Sequence, residues 1–288
     1  MKKNQIIENI IHGIFLLLGL VTVGCVLIIS VYLVISGIPA IREIGLTEFL
    51  FGKEWASTAA KPKYGILPFI LTSIYGTAGA MVLGVPVGFL TALYLSKLAS
   101  PKIKSVMQSA VSLLAGIPSV VYGLVGMLVL VPGIRKIFHV SDGASLLAAI
   151  IVLAVMILPS IIKMSITALD AVPKEYEDAS LALGATPIET YFKVSIPAAK
   201  SGISAAVVLG VGRAIGEAMA VMMVAGNAPN MPDSLFQSVR FLTTAVSSEM
   251  AYSSGLQQQA LFSIALVLFL FIMLINAALN FFLKGEKE

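Results

Sequence analysis

Six long apolar stretches set the terms for this chain, at residues 12–38, 68–96, 106–131, 144–168, 202–225 and 256–283. A hydrocarbon layer about 30 Å thick is crossed by a helix of about 20 mostly apolar residues, because a helix pairs every backbone polar group within itself. Each stretch is long enough, so the pattern predicts six transmembrane helices. With 58% hydrophobic and only 12% charged residues, the chain falls far from soluble domains, which are about a quarter charged. A soluble enzyme and a disordered polypeptide are both excluded, and an all-α integral membrane protein is expected.

Lys2 and Lys3 precede the first stretch, as they would a signal peptide. Its apolar core exceeds the roughly 7–15 residues of a signal's hydrophobic region, and no small-residue cleavage site follows, so it is read as a retained span. Charge bias sets the orientation. With the amino terminus inside, eleven lysines face the cytoplasm (Lys2, Lys3, Lys97, Lys102, Lys104, Lys163, Lys174, Lys193, Lys200, Lys284 and Lys287). Seven basic residues fall outside (Arg42, Lys53, Lys61, Lys63, Arg135, Lys136 and Arg240), and Arg213 remains within a span. Both termini are therefore expected in the cytoplasm of a plasma or inner membrane. The single cysteine, Cys25, lies in the first apolar run and has no disulfide partner; His12 and His139 show no ligand spacing, so neither metal nor cofactor is expected.

The chain divides into a first span with an external loop (1–67), a transmembrane unit (68–283) holding a polar loop at 169–201, and a tail (284–288). Phe49, Phe51, Trp55 and Tyr64 in the external loop suit a segment lying against the membrane surface. Residues 225–255 form a second external loop with the turn formers Asn227, Pro229, Asn230 and Pro232. In the polar loop Pro173 marks a helix start, Glu175, Glu177 and Asp178 complement its dipole, and Gly184 offers a left-handed stop. Thr186, Pro187 and Glu189 then write a capping box, and Pro197 closes the unit. The result is two short helices hinged at a glycine, a shape suited either to a solvated connector or to docking in a groove of another protein.

Within that loop, Asp178-Ala179-Ser180, Gly184 and the closing Val194-Ser195-Ile196-Pro197 resemble the EAA loop of ABC importer permeases. The family pattern is Glu-Ala-Ala, three residues, Gly, nine residues, Ile-x-Leu-Pro. Here Asp stands for Glu, Ser for the second Ala, Val for Ile and Ile for Leu, while the spacing of Gly184 and Pro197 is kept. The resemblance implies a type I importer permease fold (MetI-like), with six helices and a loop that docks on a separate ATPase. Coupling would fall to Asp178, Ala179, Gly184 and Pro197, with the neighbouring Glu177.

The fifth stretch contains Arg213 and Glu217, four residues apart and therefore on one face of a continuous helix. Ionisable groups inside a membrane are costly and normally face the bundle interior or a water-filled path. Such a pair either stitches helices together or serves a transported ion. Arg213 presents a planar fork matched to phosphate-like oxyanions, and Glu217 would hold it while the path is empty. Gly212 and Gly216 add a small-residue face for close packing, as do Gly84 and Gly88 in the second stretch. Pro86 and Pro118 are candidate kinks, Met219, Met222 and Met223 are packing residues, and Thr72, Ser73, Thr77, Ser119 and Tyr122 are candidate lining residues. The run Gly210-x-Gly212-x-x-x-Gly216 has the wrong spacing for a dinucleotide fingerprint, and no Walker A motif exists, so any ATP is bound by another chain.

The stretch from Arg213 to Asn227, with Pro118-Ser-Val-Val-Tyr-Gly123, resembles the PstC-type permeases of phosphate-specific (Pst) importers. That resemblance implies a PstA-type sister permease, a dimer of cytoplasmic ATP-binding subunits, an extracytoplasmic phosphate-binding protein, and inorganic phosphate as substrate; no nucleic acid is involved. The chain itself would be no enzyme. A permease for sulfate or molybdate remains an alternative, as does an ion-coupled secondary carrier, although no second six-span half and no further midplane carboxylates support the carrier.

Overall fold

The computed structural model describes residues 2–284, so Lys287 and all of the tail but residue 284 lie outside the described residues. Helix α1 (Lys2–Ile44) is followed by α2 (Leu46–Phe51) and a small hairpin of β1 (Trp55–Ala56) and β2 (Lys63–Tyr64). Helix α3 (Leu67–Leu93) continues through a π turn at Tyr94–Leu98 to α4 (Pro101–Gly116). Then come α5 (Ser119–Val125), a π turn, α6 (Val131–Phe138) and α7 (Leu146–Asp170). The polar loop folds as α8 (Lys174–Ala182), α9 (Pro187–Thr190), a π turn and α10 (Ile196–Ala198). The chain ends with α11 (Lys200–Gly216), α12 (Met219–Val224), α13 (Leu242–Glu249) and α14 (Gly255–Lys284). Among the described residues five helices are long and apolar enough to cross a membrane, or six if the pair bent by 70° at residue 199 counts as one span.

Two of the predicted spans are broken. The stretch 106–131 is not one helix: α4 stops at Gly116, and the membrane-length helix runs Ser119–Phe138. Pro118 has no N–H and forces Ile117 into an extended conformation (φ −70°, ψ 128°), which ends the helix instead of bending it. The stretch 202–225 breaks after Gly216. Pro86 and Pro159, by contrast, sit inside continuous helices α3 and α7.

Helix α7 is the spine. Its apolar stretch is the most buried of the five, and Leu153, Met156, Ile157 and Ile161 are almost fully enclosed. Glycines let α3 approach it: a Cβ at Gly79, Gly84 or Gly88 would lie 2.7, 2.8 or 2.9 Å from Ile150, Ile157 or Ile161. The Gly84/Gly88 face thus packs as its spacing predicts. On the other side of the spine Gly210 of α11 sits against Ile161 and Gly202 against Ala168. Helix α1 stands apart, exposed over its apolar length, and rests on α14 through Tyr32 edge-on to Phe262 at 5.5 Å and the Ser263 hydroxyl donating to the Gly37 carbonyl.

The aromatic rings of the loop between α1 and α3 mostly turn inward and do not lie open to a membrane surface. Phe49, Trp55 and Tyr64 are buried in a core with Ile66, Phe69, Leu261 and Ile264, and only Phe51 of its four named aromatics is exposed. The hairpin turns these rings inward, where Trp55 meets Tyr64 edge-on at 5.5 Å. Glu249 ties this end together: it pairs with Arg240 and accepts from Trp55 Nε1 (3.2 Å), Ser57 Oγ (3.3 Å) and Gln257 Nε2 (3.0 Å). We call this the hairpin end, and the opposite one, with α8–α10, the loop end.

Gly52 and Gly65 meet backbone to backbone beneath the hairpin. A methyl at Gly65 would collide with the Gly52 main chain, which cannot yield as a side chain can. Gly65→Ala is therefore expected to cost about 1–3 kcal/mol locally. Trp55 is the only tryptophan, so the check is its emission: a red shift and a lower thermal midpoint are expected in the variant.

Candidate functional site

The membrane-embedded cluster starts where α11 stops. Gly216 is the last helical residue and Glu217 is extended (φ −73°, ψ 128°). Glycine favours such a stop, because it gains little from staying helical. The freed backbone groups find partners at once, as an apolar setting demands. Glu217 Oε1 accepts from the Ala220 N–H (2.9 Å) at the start of α12, and its carbonyl accepts from Thr243 Oγ1 (2.8 Å).

This overturns the expectation that Arg213 and Glu217 share a helix face, and with it the idea that Glu217 holds the guanidinium. The two are not ion-paired. Arg213 Nη1 donates instead to Ser160 Oγ of α7 at 2.9 Å, a partner 53 residues away that no local pattern could reveal. Both charged residues are half-buried. Gly212 and Gly216 pack against nothing among the described residues: a Cβ at either would meet open space. Arg213 thus lies beside a small-residue surface left free. The glycine that does pack is Gly210.

The other polar residues divide. Thr72, Ser73 and Thr77 are buried inside the chain, and Ser73 Oγ accepts from the Leu242 N–H at 3.0 Å, so it fastens α13 to α3. Tyr122 donates to the Leu114 carbonyl at 2.7 Å, a second bond to a group that already accepts from the Ile117 N–H where α4 ends. Ser119 is half-buried beside it at the start of α5. Of the three methionines, Met223 packs on the main core, while Met219 is exposed.

At the loop end the local signals appear in full. Helix α8 ends at Gly184 with φ +89°, and Thr186 and Glu189 form the reciprocal capping box of α9. The five expected coupling residues part company, however. Asp178, Ala179, Gly184 and Pro197 are exposed. Glu177 turns inward, 2.6 Å from the Lys97 ammonium, and accepts from Ser195 Oγ at 2.8 Å. Burial pushes its carboxyl up, but Lys97 and Ser195 outweigh that and hold it below the ordinary glutamate value. One carboxylate thus pins α8 both to the end of α3 and to the start of the α10–α11 arm. Outward from it, Tyr176, Leu181, Leu183, Ile188 and Phe192 are exposed, Leu183 at 91%. Apolar side chains gathered on the most polar loop of a chain mark an interaction surface.

Comparison with known proteins places this geometry in a family. Residues 84–285 match the model described as binding-protein-dependent transport system inner membrane component. A protein of Bacillus subtilis (strain 168) named probable ABC transporter permease protein YqgH is 40% identical over 90% of this chain and 86% of its own. The phosphate transport system permease protein PstC of Haemophilus influenzae is 33% identical over 89% and 86%, and that of Pasteurella multocida 32% identical over 77% and 75%. Among solved structures, an inward-facing MetNI methionine ABC transporter chain aligns over 78% of this chain and 95% of its own, with a TM-score of 0.57 and 22% identity. That likeness shows the fold: a MetI-like permease.

The Glu177 anchor generates a stability prediction. Its depressed value means that the anchoring is complete above the ordinary glutamate value of 4.5 and is lost as pH falls through the lower folded one. Lys97→Met removes the partner and leaves a half-buried carboxylate. The loss should be about 2 kcal/mol locally, seen as roughly thirtyfold faster amide exchange confined to α8 at neutral pH.

Proposed function

The chain belongs to the family of binding-protein-dependent transport system inner membrane components, and from that premise we propose that it is a permease subunit of an ATP-driven importer of inorganic phosphate. A PstA-type sister permease would complete the path, a cytoplasmic dimer of ATP-binding subunits would drive it, and an extracytoplasmic phosphate-binding protein would load it. Relatives at 32% and 33% identity carrying the name PstC support the substrate. A permease moves its solute unchanged, so the chemistry of ATP belongs to a partner.

Arg213 carries the reading. Its guanidinium rests on a neutral hydroxyl, so its charge is not cancelled, and most of its five N–H donors stay available. A fork of donors in a low-dielectric setting suits a tetrahedral oxyanion better than any other common solute. The open surface at Gly212 and Gly216 gives room for that anion or for the sister subunit. Glu217, committed to the α12 amide, shapes the break beside Arg213 and does not neutralise it.

The drive would enter at the loop end. The exposed apolar side chains around Gly184 supply a docking face for the ATPase. A displacement of α8 is passed by Glu177 to α3 through Lys97 and to α10 through Ser195. From α10 the chain turns by 70° into α11, whose last turn carries Arg213. Closure of the ATPases would thus move the arm that holds the anion. The excess of lysine at this end supports a cytoplasmic loop end and cytoplasmic termini.

The test is uptake of labelled phosphate at micromolar concentration in cells lacking this chain and then complemented with it. Restored uptake that survives a protonophore and excess sulfate is expected. Collapse with the protonophore would mean an ion-coupled carrier, and competition by sulfate a different oxyanion importer. Arg213→Gln should lower uptake by about a hundredfold or more, the scale of losing a donor aimed at an anion, while the ATPase still co-purifies. Arg213→Lys should restore little, since an ammonium has no fork.

A further inference from the structure

Helix α7 carries a lysine whose ammonium is used by nothing among the described residues. Lys163 lies seven residues before the helix ends at Asp170, about 10 Å inside that end at 1.5 Å per residue. It is exposed, and its ammonium makes no hydrogen bond or ion pair among the described residues. Two other lysines at this end are matched, Lys97 with Glu177 and Lys104 with Asp170 at 3.1 Å.

Its position is informative. Ser160, Lys163, Thr167 and Asp170 follow a spacing of three, four and three, so they form one stripe along α7. At the inner end of the stripe, Ser160 accepts from Arg213. At the outer end, Asp170 is closed by Ser96 (2.6 Å) and Lys104 (3.1 Å), so its charge is cancelled. Lys104 also begins a second polar flank, on α4, where Ser105, Gln108, Ser109 and Ser112 line an open groove. The uncancelled charges along the α7 stripe are therefore two, Arg213 through its contact with Ser160 and Lys163 one turn further out. A bare ammonium at this depth is costly against lipid and belongs on a wetted path or against a ligand.

We propose that Lys163 is a second holding point for the transported oxyanion, one helical turn from Arg213 toward the loop end. The proposal rests on the phosphate reading above and adds a route to it. A path conducts when each site binds well enough to admit the ion and loosely enough to release it, and neighbouring sites share that task. The forked guanidinium takes the anion in a defined geometry; the ammonium, a point charge on a flexible stem, takes it over loosely on the way out. A lysine stem is also long enough to carry its charge to a lipid phosphate at the membrane surface. The recognised chemistry is the same, and the experiment separates the two sources.

The test uses the complete complex in liposomes, with binding protein and ATP. Lys163→Gln should lower the maximal phosphate uptake rate by about tenfold, a barrier change of about 1.4 kcal/mol. The half-saturating external concentration should stay unchanged, because loading occurs upstream. Lys163→Arg should restore most of the rate. In a Cys25→Ser background, Lys163→Cys should react with a water-soluble thiol reagent applied from the ATPase side; a cationic reagent should restore uptake and an anionic one should not. Parental uptake by Lys163→Gln, or a cysteine shielded from water-soluble reagents, would overturn the proposal and make the lysine a lipid anchor. A parental complex that moves no phosphate would overturn the phosphate reading itself.

Discussion

The close approach of α3, α7 and α11 decides where everything else sits. In hydrocarbon there is no hydrophobic drive between helices, so contact distance and fit hold them together. Ile161 is the pin: Gly88 of α3 sits against one side of it and Gly210 of α11 against another. That fixes α11 three residues before Arg213, while Ser160 is the residue next to Ile161. The hydrogen bond between Arg213 and Ser160 is thus a consequence of glycine packing. A larger residue at Gly210 would move the guanidinium away from Ser160 before it changed any charge.

The break after Gly216 follows the same constraint from the opposite direction. A helix interrupted in an apolar setting leaves backbone donors and acceptors without water, and it survives only where side chains replace the lost bonds. Glu217 and Thr243 do so on either side of the gap. The acid therefore spends its charge on an amide and leaves the arginine uncompensated. An internal ion pair would have made the site electrically quiet. As built, Arg213 and Lys163 have no carboxylate partners among the described residues, and an anion bound beside them would replace solvation that these residues do not supply.

What the sequence made legible follows from what is local in it. Hydrophobic runs longer than 20 residues marked the spans, and the Gly184 stop and the Thr186 capping box could be read because each depends on residues within one turn. The errors came from extending a helical period past a residue that ends it. Ile117–Pro118 and Gly216–Glu217 stand in apolar runs without any polar gap, so the runs read as continuous although the backbone does not. The aromatics of residues 49–64 were misread for a related reason: composition cannot tell a ring at a membrane surface from one turned inward by a hairpin. Ser160 and Lys97 were beyond reach altogether, because their partners are 53 and 80 residues away.

The loop end completes the logic of a lever. For a displacement at α8 to reach the membrane, it must be carried by contacts stiffer than the loop itself. Gly184, with open space around it and a left-handed backbone, is where the loop bends; Glu177, 18% exposed and gripped by Lys97 (11% exposed) and the buried Ser195, is where it does not. A glutamate in the middle of a docking helix would ordinarily face the partner. Its inward turn leaves Leu183 and its apolar neighbours as the exposed part of the loop, while the charge is kept for the connection to α3 and the α10–α11 arm. The buried carboxylate and the exposed apolar side chains thus belong to different parts of one compact loop: Glu177 within α8, and Leu183, Ile188 and Phe192 beyond its end.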